Sequence, residues 1–110
     1  MKDLKISKEL MSEVLNYEVD TVLGINKNEI DYTCCRDENE GYIDISINLY
    51  EFAFKCKEWA YKNGYDIWSI TWGAVEFQNN YKYNGTESIT ESTEIKAIIK
   101  ACNWILENIK

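Results

Sequence analysis

The sequence predicts an α+β domain: a mostly antiparallel sheet of about five strands with three amphipathic helices packed on it, as in an α-β-α sandwich. Three observations point there. Apolar residues recur at helical spacing in three separate stretches. Between them lie two-residue alternations rich in β-branched and aromatic side chains. The connections are short and marked by Gly and Asn, so successive strands pair antiparallel.

The first helix is expected over Lys8–Asn16, with Ser7 as N-cap and Glu9 suited to the positive end of the helix dipole. Leu10, Met11, Val14 and Leu15 form its single apolar stripe. Strands follow near Val19–Leu23 and Glu29–Cys35, joined by the turn composition Gly24-Ile25-Asn26-Lys27-Asn28. Arg36–Gly41 reads as a charged loop. From Tyr42 to Leu49, Ile43, Ile45, Ile47 and Leu49 alternate with Asp44, Ser46 and Asn48, a strand with one buried and one polar face.

The second helix spans about Leu49–Asn63. Asn48 caps it with Glu51 three residues on, and Gly64 ends it. Leu49, Ala53, Cys56 and Ala60, widened by Phe52 and Trp59, form its stripe. Two strands come next, Tyr65–Trp72 and Ala74–Tyr83, separated by Gly73. Trp68, Ile70 and Trp72 alternate onto one face of the first; Val75, Phe77, Tyr81 and Tyr83 line the second. After the Asn84-Gly85 turn, a short polar strand or loop reaches Glu91. The last helix, Glu94 to about Asn108 with Thr93 or Ser92 as cap, repeats Ile95, Ile98, Ile99 and Cys102 at helical spacing.

One domain over residues 1–110 is therefore expected; the chain is of common single-domain length and has no low-complexity run or repeat. Four Trp, eight Tyr and three Phe are generous for its size, and buried aromatics of roughly 150–250 Å² each anchor a small core. Met1–Ser7 holds no apolar run, and no stretch has the length of a membrane span, so neither export nor membrane insertion is expected.

The chain has no histidine, which excludes Ser-His-Asp and Cys-His nucleophile arrangements. It has no phosphate-loop, dinucleotide or nucleophile-elbow glycine motif. No catalytic residue and no cofactor are assigned. Cys34, Cys35, Cys56 and Cys102 lack paired zinc-ligand spacing and are expected as reduced, metal-free thiols.

The net charge is −7. Residues 29–51 carry seven acids against Arg36 alone, a net −6, and Asp37, Glu38 and Glu40 concentrate it in one short acidic surface. That surface is expected to face solvent and to form part of the functional face. Such a balance argues against direct nucleic-acid binding. Trp68, Trp72, Tyr81 and Tyr83 are expected either to pack as core under a helix or, if one face of the sheet is uncovered, to line it as the candidate ligand or interface residues, with the lone Arg36 as a phosphate clamp. So many aromatics on so short a sheet also predict a homodimer.

Three segments resemble those of small prophage proteins of low-GC bacteria: Lys5–Leu15, Ile47–Ser69 and Ser92–Asn108. The last is similar to the C-terminal helix of the phage α-β-α sandwich domain, which opens with an Ala-Ile-x-x-Ala pattern, here Ala97-Ile98-Ile99-Lys100-Ala101. That family commonly has proline and an acid after the cap, where this chain has Ile95 and Lys96. The resemblance covers about half the chain and implies no activity or cofactor. It implies a phage accessory protein in the cytoplasm of a bacterial host, binding a host defence or regulatory protein or sequestering a small ligand. The alternative is a self-associating assembly protein.

Overall fold

Ser7 opens the first helix by accepting a hydrogen bond from the Leu10 backbone N–H at 3.1 Å, the kind of side-chain cap that satisfies an otherwise orphaned donor. From there the order is α1 (Lys8–Leu15), β1 (Thr21–Asn26), β2 (Glu29–Asp37), β3 (Gly41–Asn48), α2 (Leu49–Lys62), β4 (Tyr65–Thr71), β5 (Ala74–Asn79), β6 (Glu87–Thr90) and α3 (Glu94–Ile109). This computed structural model describes residues 5–37, 41–81 and 85–109, with only the backbone at residues 35–37. The architecture is α+β.

The strands do not form one sheet of about five. They form two antiparallel sheets of three, β1-β2-β3 and β4-β5-β6. The reason lies in the connections. Each short link joins strands of the same sheet, and the one long link between β3 and β4 is the 14-residue helix α2. Hairpin pairing is local and needs only the turn; joining β3 to β4 is a non-local pairing that no turn signal specifies. Backbone contacts accordingly gather into two compact units, residues 1–52 and 53–110.

In the first unit Ile30, Tyr32 and Cys34 face Ile47, Ile45 and Ile43 across β2 and β3, and the three β2 residues are buried. The opposite face holds Glu29, Asp31, Thr33 and Asp44. The expected alternation of β3 is present. The stretch expected as a loop from Arg36 differs: β2 continues to Asp37, which pairs with Gly41 across a register shift after Cys35. A bulge absorbs one residue and lets pairing run on. Gly24, expected in a turn, lies within β1 at a second register shift, with a φ of 148° that suits glycine.

In the second unit α3 packs on the β4-β5-β6 sheet. Ala97, Ile98, Ala101, Cys102 and Ile105 are buried along its inner side, and Thr93 caps it by accepting from Lys96 N at 3.2 Å. Val75 and Phe77 of β5 and Tyr65 and Ile67 of β4 are buried. Trp104 sets its edge against Phe77, with ring centroids 5.1 Å apart, and against Tyr65 at 6.2 Å. These tilted pairings suit the ring quadrupoles.

Candidate functional site

Because side chains alternate along a strand, burying Tyr65 and Ile67 turns Asp66 and Trp68 to the other face of the sheet. Register sets Trp68 opposite Glu76, Asp66 opposite Gln78, and Glu76 opposite Ser88. Trp68 and Ile70 are exposed, and Trp72, at the β4–β5 turn, is 82% exposed. Trp68, with Asp66, Glu76 and Gln78 around it, therefore occupies the face opposite Tyr65 and Ile67, while Ile70 lies at a register shift between Ser69 and Thr71 and Trp72 at the turn.

The turn carrying Trp72 is held firmly. Gly73 has φ 77°, and a Cβ there would sit 2.1 Å from the Glu91 carbonyl oxygen. Glu91 N in turn donates to Gly73 O at 2.6 Å. Glu91 is itself bridged to Lys100 of α3 at 2.5 Å. Only glycine fits this approach, so backbone contacts fix the base from which Trp72 projects.

Tyr81 lies elsewhere. β4 and β5 pair from Thr71↔Ala74 at the turn end to Tyr65↔Asn79 at the open end, about 20 Å at the usual strand rise. Trp72 belongs to the first end. Tyr81 belongs to the second, its N–H on Asn79 Oδ1 at 2.8 Å and its ring so close over Gly64 that an added Cβ would lie 2.5 Å from it. Trp72 and Tyr81 are thus at opposite ends of the hairpin, with Trp68 on β4 between them. β5 stops at Asn79 rather than reaching Tyr83. Tyr83, Glu38 and Glu40 lie outside the described residues. Arg36 and Asp37 are placed by backbone alone at the end of β2 in the first unit. Of the acids of 29–51 whose side chains are described, Glu29, Asp44 and Glu51 are exposed and Asp31 is half-buried.

Two groupings escaped the sequence. The Tyr17 and Tyr32 hydroxyls are hydrogen-bonded to each other. Burial foremost, then that bond, raises the Tyr32 phenol above its ordinary value. No local spacing signals a contact between residues so far apart in the chain. The second is a row of exposed aromatics, Tyr50, Phe54 and Tyr61, along the outer side of α2. Its signal was present, since these positions recur at helical spacing, but the apolar stripe toward the core dominates the same helix.

Cys34, Cys56 and Cys102 are free thiols and buried. Cys102 Sγ–H donates to Cys56 O at 3.4 Å, and burial pushes the Cys56 thiol up, which keeps it protonated and a poor nucleophile. A cavity of about 40 Å³ opens between Tyr65, Phe77, Asn79, Glu87 and Trp104. That volume suits water; small-molecule sites run to roughly 300–1,000 Å³. Among the described residues no three His, Cys, Asp or Glu gather in a way that could hold a metal ion, and no helix is long and apolar enough to cross a membrane.

No protein-family model matches the chain, and no curated protein or solved structure is significantly similar to it.

Proposed function

We propose that the chain is a non-catalytic binding protein that engages another protein through the outer face of the β4-β5-β6 sheet. The observation that carries this reading is the exposure of Trp68 on the sheet face opposite the buried Tyr65 and Ile67, with Trp72 exposed at the β4–β5 turn. Tryptophan is the residue type most enriched among binding hot spots, and burying it on a partner removes a large apolar area from water. The fixed Gly73 turn holds the backbone that carries Trp72, so little backbone ordering is spent on association.

Asp66 and Glu76 beside Trp68, in a chain of net charge −7, favour a partner with an apolar pocket edged by Lys or Arg. The absence of histidine removes the commonest general acid–base residue. The resemblance to prophage proteins supplies the setting: a phage accessory protein acting on a host defence or regulatory factor.

The test compares the parent chain with a Trp68→Ala, Trp72→Ala double variant in capture from a bacterial lysate, with circular dichroism to check the fold. Loss of the same specific partner on repeated capture is the expected result. Undiminished capture by a folded double variant overturns the proposal. A fall in the mass of the purified chain on this substitution would instead assign the face to self-association.

A further inference from the structure

We infer that a second copy of this chain docks on the outer side of α2, forming an antiparallel helix pair about a two-fold axis near residues 55–56. This inference is independent of the binding face on the second sheet. Tyr50, Phe54 and Tyr61 are 61%, 65% and 66% exposed, although aromatics of this size are ordinarily buried in a core. At about 100° per residue these three and Lys57 fall within roughly a 60° arc of the helix, turned away from the buried Ala53, Cys56 and Ala60.

The spacing identifies the occupant. Positions 50, 54, 57 and 61 step by four, three and four, the seam spacing of a coiled coil, and the order reads the same from either end. A reversed copy centred between residues 55 and 56 places Tyr50 opposite Tyr61 of the second copy, and Phe54 opposite Lys57. Each pairing occurs twice. The first is an aromatic pair and the second a cation over a ring. This is the self-complementarity that a two-fold interface requires.

Charge points the same way. α2 carries Lys55, Lys57 and Lys62 against Glu51 and Glu58, a net +1 in a chain of net −7. Apposing two α2 helices therefore brings together a surface without net negative charge, whereas apposing two β4-β5-β6 faces brings Asp66 and Glu76 of each copy together. The homodimer expected from the aromatic strands is thereby assigned to a helix instead.

Sedimentation and short bis-maleimide cross-linking test this on the full chain. The parent is expected at twice 12.9 kDa, and Phe54→Glu, an exposed position, is expected to weaken dimerisation by about thirtyfold or more with its circular dichroism unchanged. A Tyr50→Cys, Tyr61→Cys double variant should cross-link between chains. So should an equimolar mixture of the two single variants, while neither single variant alone exceeds the parent's background. A parent that stays monomeric at high concentration overturns the inference, as does a Phe54→Glu variant that remains dimeric. Single variants that cross-link as well as the double variant would show a parallel pair and also overturn it. Dissociation by Trp68→Ala, Trp72→Ala alone would move the interface to the sheet.

Discussion

The chemistry of Tyr32 departs from that of a free side chain. Its ring is buried beside Ile45 and Val22 of the neighbouring strands, and its hydroxyl meets that of Tyr17. Burial, then the Tyr17 bond, opposes loss of the phenolic proton, so ionisation in the folded chain lies above the ordinary 10.0. The unfolded chain loses this proton near pH 10 and the folded chain only at higher pH. Above pH 10 the unfolded state therefore binds fewer protons, and stability falls as pH rises, by up to about 1.4 kcal/mol per unit. Below pH 10 the contribution is whole. Tyr32→Phe should remove this part of the alkaline slope. Urea midpoints at pH 8 and pH 11 should separate less in the variant than in the parent; equal separations would show that Tyr32 titrates freely. Nothing in the local sequence around Tyr32 announces this. It arises from burial in the folded chain and then from a contact fifteen residues away, whereas the caps at Ser7, Asn48 and Thr93, which act within three residues, are legible in the order of the side chains.

At the scale of elements, position along a strand decides what an aromatic does. Phe77 and Trp68 belong to adjacent paired strands, but Phe77 is fully buried under Trp104 while Trp68 looks outward. Phe77→Ala should lower stability by about 3–5 kcal/mol, the range for emptying an aromatic site in a core. Trp68→Ala should change it by about 1 kcal/mol or less. Chemical denaturation of the two variants measures both, and comparable losses would show that Trp68 is a core residue. The alternation that separates these roles was readable, because Ile67, Val75 and Phe77 occupy positions of one parity. The division into two sheets was not, since nothing in β3 or β4 states which edges remain unpaired. The outer aromatics of α2 were overlooked for a different reason. A helix is first read for the stripe that reaches its core, and Leu49, Ala53, Cys56 and Ala60 supply one; a second stripe carries meaning only once the first is known to be buried. Trp72 and Tyr81 looked like neighbours because two consecutive strands carry them. Register places them at opposite ends of the hairpin.

For the molecule as a whole, charge sets what can approach it. Three lysines and three exposed aromatics on α2 resemble, in isolation, the stacking and phosphate-neutralising surfaces of single-strand binders. The chain as a whole opposes that reading. Lys55, Lys57 and Lys62 share their helix with Glu51 and Glu58 and belong to a chain of net charge −7. Phosphate binding draws its free energy from releasing condensed counterions, with a salt slope near −0.9 per phosphate neutralised. Three lysines, partly offset by two carboxylates, neutralise at most a few phosphates, while the remaining net negative charge repels the polyanion over about 8–10 Å at ordinary ionic strength. Binding of duplex or single-stranded DNA at 150 mM salt should therefore be weaker than about 10⁻⁴ M, the weak end of non-specific binding. Fluorescence anisotropy of a labelled 20-mer measures it. Micromolar binding with a slope of several phosphates would mean that α2 presents its lysines to nucleic acid. In that event Phe54→Glu would weaken DNA binding and leave the sedimentation mass unchanged, the reverse of what a paired α2 requires.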